Sequence, residues 1–259
     1  MKATSSTQAT KPLIYKFFLL SVFLSLIFII FLFSGQLLSL HNQHIKSTIN
    51  IVPPTSSLQN HANLRMRNGF NTYDSYLKHQ LNKTLNPKLR NLWVTRDWER
   101  KIEVFSKFFN KLKNQNLLAN HSKSLCIRAR VGQEVAALKR VGVSDSVGID
   151  LVPFPPLVIQ GDFHDQPFKN STFDFEFSNV FDHALYPSKY VGEIERTLKP
   201  GGICVLHVAV SKRGDKYSAN DLFNVDGLVG LFKVCDVVHV INVDGLGLDT
   251  EIVLRKRKS

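Results

Sequence analysis

Only three cysteines, Cys126, Cys204 and Cys235, occur in 259 residues. So small and odd a number excludes a disulfide-stapled fold. The three also lack the paired spacing of a zinc site, so no metal site is expected. Acidic residues are absent from the first 40 positions, where three lysines stand alone; positions 41–120 set thirteen Lys/Arg against four Asp/Glu, and positions 121–259 seventeen against seventeen. The formal charge of +12 therefore sits wholly in the first 120 residues. The balanced remainder has no basic excess to neutralise a phosphate backbone, which argues against nucleic acid as a partner. Hydrophobic residues at 44% and charged residues at 21% exclude wholesale disorder.

Long apolar runs are equally scarce. The single one runs from Phe17 to Phe33 and is interrupted only by Ser21 and Ser25. At about 1.5 Å per residue it spans roughly 26 Å, and starting at Leu13 adds a turn with Lys16 able to snorkel. This predicts an uncleaved signal anchor over residues 13–34 with a cytosolic tail over 1–12. The rival reading, a cleavable signal peptide, needs a shorter apolar stretch and a small residue before the cut, where Phe33-Ser34-Gly35 offers phenylalanine. Lys2, Lys11 and Lys16 precede the span, and only Lys46 lies close after it. The positive-inside bias then gives a single-pass type II protein with its C-terminal domain in the lumen of the Golgi or endoplasmic reticulum, and the bilayer as a partner. Sequons at Asn82, Asn120 and Asn170 permit that placement without arguing for it.

Residues 35–63 are rich in Ser, Asn, Gln and His, contain Pro53-Pro54, and read as a flexible stem. Residues 64–120 read as a basic helical segment. Tyr73, Tyr76, Leu77 and Leu81 share one helical face that Asn86-Pro87 ends; a second helix starts after Thr95, with Trp98, Ile102, Phe105, Phe109 and Leu112 in register. The opposite face of that second helix, with Arg100, Lys101, Lys107, Lys111 and Lys113, is either solvated or turned to an anionic surface.

From residue 121 to 259 strand and helix alternate. Strands are expected at 124–127, 147–150, 157–159, 173–179, 203–210, 234–241 and 248–254, and helices at 133–141, 190–198 and 219–231. Lys199-Pro200-Gly201-Gly202 reads as a sharp turn, and Asp244-Gly245 as the turn of a terminal hairpin. The pattern implies an α/β domain whose sheet is mixed but mostly parallel, with helices on both faces.

Four elements stand in a telling order: Gly148-Ile149-Asp150, Gly161-Asp162-Phe163, Phe173-Asp174-Phe175 with Ser178-Asn179, and Leu198-Lys199-Pro200-Gly201-Gly202. In order and spacing they resemble S-adenosylmethionine-dependent methyltransferases of the type 11 group, over residues 121–258, and the chain looks similar to plant membrane-anchored methyltransferase-like proteins. The resemblance implies a Rossmann-like fold with a seven-stranded sheet and S-adenosyl-L-methionine as cofactor. It implies that Asp150 holds the ribose hydroxyls and that Asp162 accepts from the adenine amino group with Phe163 against the ring; Asn179, after the next strand, is a further cofactor-binding candidate. Asp182 and His183, just beyond, are candidate catalytic residues, the histidine as a general base.

The cofactor loop departs from the family pattern of an acid followed by three alternating glycines. Cys126 stands in the acid's place, Arg128 and Arg130 replace the first two glycines, and Gly132 remains. Glycine there permits positive φ and close approach; arginine removes that permission, although Arg130 could instead clamp the cofactor carboxylate. Either Glu134 replaces the lost acid or nothing does. Leu151–Pro156 holds three prolines and excludes the usual crossover helix. Two functions follow: a methyltransferase acting on an unidentified acceptor, or a catalytically inactive binding or scaffold protein of the same fold.

Overall fold

Alternation of side chains decides the layers of the domain. In the strand Ser124–Ile127, Leu125 and Ile127 enter one apolar cluster and Cys126 the other, and in Leu198–Val208 the residues Cys204 and Leu206 part from Ile203 and Val205 in the same way. Both faces of these strands are buried, so helices must cover both. The computed structural model describes residues 63–210 and 215–258, all within one compact unit, Gln59–Ser259. The expected tail, the anchor and all of the stem but Asn63 lie outside the described residues, and no helix among those described is long and apolar enough to cross a membrane.

In chain order the elements are β1 (Leu64–Met66), α1 (Tyr73–Thr84), α2 (Pro87–Val94), α3 (Trp98–Asn114), β2 (Ser124–Ile127), α4 (Gln133–Arg140), β3 (Ser146–Asp150), β4 (Val158–Gln160), β5 (Phe173–Ser178), α5 (Pro187–Thr197), β6 (Leu198–Val208), β7 (Asn220–Leu222), α6 (Asp226–Val229), β8 (Cys235–Gly245) and β9 (Leu248–Lys256). The main sheet has seven strands in the order β4-β3-β2-β5-β6-β9-β8. The first five run parallel, and β9 lies antiparallel to both β6 and β8. On one face α3 and α4 bury Ile102, Phe105, Phe109, Leu112, Val135 and Leu138; on the other α5 buries Tyr190, Val191 and Ile194. Strand order reverses between β2 and β5, and the carboxyl ends of those strands form the crevice where open α/β sheets bind ligands.

The expected elements form with corrections. The 64–120 segment packs on the sheet: β1 pairs with β7, Leu64 opposite Leu222, and α3 lies against α4. Asn86-Pro87 both ends α1 and starts α2, because the Asn86 side chain caps the Leu89 N–H and proline fits the first helical turn. The next helix is preceded by Asp97, not Thr95. The inward residues of α1 are Tyr76, Gln80 and Thr84. No helix fills residues 219–231, since β7 finds its partner far away in sequence and only Asp226–Val229 is helical. Lys199–Gly202 is part of β6, where the register against β5 jumps and Gly201 takes φ +79°. The hairpin turns at Leu246-Gly247, both at positive φ, with Asp244 and Gly245 still in the strand. Leu151–Pro156 carries no helix, as its prolines require.

Candidate functional site

The loop after β2 keeps a glycine-like backbone without the glycines. Arg128, Arg130 and Gly132 have φ of 58°, 53° and 86°, three left-handed residues at alternate positions. The expectation that arginine would forbid this conformation is thus corrected. A left-handed non-glycine residue costs about 1–2 kcal/mol, and neighbouring contacts offset it. The Arg130 N–H donates to Asp150 Oδ2 at 3.0 Å, the Arg128 side chain is buried, and the Arg130 guanidinium lies over the Trp93 ring at 5.4 Å. Gly132 is needed for space as well, because a Cβ there would meet Leu157 Cβ at 2.7 Å.

Asp150 and Asp162 end their strands as expected, but the chain itself engages both. Asp150 is 1% exposed, and its Oδ1 accepts from the Val152 N–H at 3.3 Å. Asp162 accepts from the Tyr73 hydroxyl and, at 2.9 Å, from the His164 N–H. Burial pushes its carboxyl up, yet those hydrogen bonds outweigh burial and hold it below the ordinary range. Phe163 is buried in the core, at right angles to Tyr190.

A cavity of about 480 Å³ opens beside this cluster, at the size of small-molecule sites. Arg130, Asn179, Asp182 and His183 line it; Gly132, Asp150, Asp162 and Phe163 do not. Its other walls come from α3 with Arg100 and Lys101, from α1 with Lys83, from Asp215, and from the hairpin turn at Gly245–Leu248. The basic face of α3 is therefore divided. Arg100 and Lys101 face the cavity, Lys107 pairs with Glu103, and Lys111 reaches toward Glu251.

Glu134 is the buried acid of the site. Asn179 Nδ2 donates to its Oε1 at 3.2 Å, while Oε2 has no partner. Burial raises its carboxyl above the ordinary value, against the pull of Arg130 and Lys101. Lys101 is brought down to about 8 by burial and by Arg130. Burial, and after it the charge of Glu134, push the Cys126 thiol well up.

Asp182 and His183 meet Asp215, with one ligand-type atom of each within 4.8 Å of the others. These acids already have partners: Ser218 donates to Asp182, and Lys83 pairs with Asp215 at 2.6 Å. His183 Nδ1 lies 3.1 Å from both Gln80 Oε1 and Tyr217 O, and Nε2 lies 3.9 Å from Asp182 Oδ2. Burial, then Arg128, Lys83 and Arg130, push His183 well below its ordinary value, so it is neutral; burial raises Asp182. A neutral imidazole at the cavity has a lone pair to offer a ligand there, and the burial and cations that keep it neutral make it a weaker base than a free histidine. Sequence reasoning missed Tyr73, Gln80, Lys83 and Asp215. The signal available for the α1 residues was an inward face carrying glutamine and threonine, which an apolar-periodicity search passes over.

The order of strands is that of a Rossmann-like α/β methyltransferase fold with a mostly parallel seven-stranded sheet. Residues 126–206 match the family model described as a methyltransferase domain. The chain is 31% identical over 100 residues to the sterol 24-C-methyltransferase erg6 of Schizosaccharomyces pombe, covering 35% of this chain and 26% of that protein. The chain thus spans about a quarter of the length of that relative. Among solved structures it is similar to Burkholderia thailandensis 1,6-didemethyltoxoflavin-N1-methyltransferase with bound 1,6-didemethyltoxoflavin and S-adenosylhomocysteine. That likeness has a TM-score of 0.58 at 16% identity and covers 75% of this chain and 95% of that one.

S-adenosylmethionine is the methyl donor implied by the match to a methyltransferase domain, and the cavity residues fit one end of it. The unpartnered, buried Glu134 Oε2 at the cavity suits an ammonium, as the loss of an acid at Cys126 requires. The loop holds the left-handed backbone that a close ligand approach needs, whereas the carboxylates of Asp150 and Asp162, at and just after the ends of β3 and β4, lie outside the cavity lining and are engaged by the chain itself.

Proposed function

We propose that this chain is a membrane-anchored methyltransferase that transfers a methyl group from S-adenosylmethionine to a protonated nucleophile. The observation that carries it is Glu134 Oε2, a buried acceptor without a donor at the strand-order reversal. Glu134 would take the cofactor's ammonium and Arg130 its carboxylate, with Asp150 and Asp162 toward the adenosine end. When bound, the cofactor supplies a methyl group made electrophilic by a sulfonium. Methyl transfer needs alignment and exclusion of water, and a base only where the nucleophile carries a proton. His183 Nε2 takes that proton from the acceptor, beside the raised carboxyl of Asp182. Phe17–Phe33 supports anchoring, with the lysines before it supporting a type II orientation and a lumenal domain in the Golgi or endoplasmic reticulum, as in the plant membrane-anchored group.

A second reading, a scaffold that binds no cofactor, is favoured by one observation: Asp150 and Asp162 already accept hydrogen bonds from Arg130, Val152, Tyr73 and His164. Thermal unfolding of the full chain with added S-adenosylmethionine separates the two. At about 100 times the dissociation constant the cofactor adds roughly 2.7 kcal/mol of stability. An unchanged midpoint at millimolar cofactor rules out the enzyme.

A further inference from the structure

We propose that Gln80 and Arg128 are positioning residues that hold His183 as the Nδ1–H tautomer, presenting the Nε2 lone pair to the cavity. The proposal deepens the methyltransferase reading, in which His183 is the base, and rests on it for its catalytic meaning. It also gives a purpose to an arginine in a position where glycine is expected.

Donor and acceptor chemistry fixes each step. An arginine guanidinium only donates, so Arg128 Nη2, 2.6 Å from Gln80 Oε1, identifies that atom as the amide oxygen. The amide nitrogen is then Nε2, and it donates to the Tyr217 carbonyl at 2.8 Å, as only a nitrogen can. His183 Nδ1 consequently faces two acceptors, Gln80 Oε1 and Tyr217 O, each at 3.1 Å. Facing acceptors alone, Nδ1 carries the hydrogen, and in a neutral ring Nε2 is then the acceptor.

The surroundings hold this arrangement in place. Gln80 is fully buried, His183 is 4% exposed, and Tyr76 of the same helix donates to the His183 carbonyl at 2.9 Å. Every element packed around the ring contributes a charged or titratable neighbour: Lys83 from α1, Arg128 and Arg130 from the loop after β2, Asp182 beside it, and Asp215 before β7. The three cations oppose an imidazolium, so the neutral tautomer is the state in which the ring meets a substrate. The left-handed backbone of Arg128 turns its side chain inward, 5.9 Å from the Phe163 ring, where the guanidinium reaches Gln80.

Histidine side-chain NMR on the ¹⁵N-labelled full chain tests the assignment, with the His183 signals identified by their loss in His183→Asn. We expect Nδ1 protonated and Nε2 unprotonated, unchanged between about pH 6 and 8. Gln80→Glu sets a carboxylate against Nδ1–H and raises the His183 protonation constant tenfold or more. Arg128→Met removes the donor that orients the amide and one opposing cation, so a second tautomer appears and the protonation constant rises. A proton on Nε2 in the unmodified chain overturns the proposal, as does a His183 titration unchanged by Gln80→Glu. This readout needs neither cofactor nor acceptor, so it stands or falls separately from methyl transfer.

Discussion

Arg130 and Asp150 are joined backbone to side chain: the N–H of a left-handed arginine donates to the carboxylate that ends β3. The bond ties the loop after one strand to the end of its parallel neighbour, at the place where strand order reverses. Asp150→Ala leaves the part-buried Arg130 and Val152 N–H groups without their partner, at about 1 kcal/mol, the net worth of a hydrogen bond. Urea unfolding should show that loss, and the variant should also lose the stabilisation conferred by S-adenosylmethionine. Retained cofactor stabilisation would show that Asp150 does not hold the ribose.

Glu134→Gln separates stability from binding. A carboxylate held in burial without a full set of partners opposes folding wherever it is ionised, so the amide should be as stable as the parent or more so at neutral pH. The amide also lacks the charge that an ammonium needs, so affinity for S-adenosylmethionine should fall at least about tenfold, the size of a charged hydrogen bond. Calorimetric titration of parent and variant with the cofactor checks the affinity, and their denaturation midpoints check the stability. Equal affinity would remove Glu134 from the site.

Glu176 makes stability depend on pH. Burial in β5 pushes its carboxyl from 4.5 up to about 8, against the hydrogen bond that Thr197 donates to it at 2.7 Å. The folded chain therefore keeps a proton that the unfolded chain releases, and this contribution is complete below pH 4.5 and lost as pH rises toward 8. Across that window the folding equilibrium attributable to this group weakens about tenfold per pH unit. Glu176→Gln should flatten the profile and show its largest advantage near pH 8, read from denaturation midpoints at a series of pH values.

The proposed lumenal placement can be read from glycans. Asn82, Asn120 and Asn170 are all exposed. In cells with a secretory pathway the full chain should shift in mobility on enzymatic deglycosylation, and replacing the three asparagines by glutamine should abolish the shift. A chain with no glycan at any of the three would return the domain to the cytosolic side.

Strand positions from Ser124 to Ile127 and from Phe173 to Ser178 were legible because burial on both faces leaves short apolar runs bounded by polar turns. Asp150, Asp162, Asn179 and His183 could be singled out because they follow strand ends, which are visible locally, but of the four only Asn179 and His183 line the cavity. The errors fell where pairing is distant. Asn220–Leu222 is a strand only because Leu64–Met66 lies beside it, and Lys199–Gly202 joins β6 only because β5 accepts a register jump.

By itself the sequence determined the α/β alternation, the absence of a helix through three prolines, and a neutral domain behind a basic, apolar N-terminal part. The tertiary structure alone decided how the site is closed. Two arginines hold a left-handed loop because Asp150, Gln80 and Trp93 meet them, and Glu134 of the next helix is brought to the cavity with one carboxylate oxygen unpartnered. Local propensity counts the backbone cost at each arginine; only the folded surroundings supply the hydrogen bonds and the ring contact that are set against it.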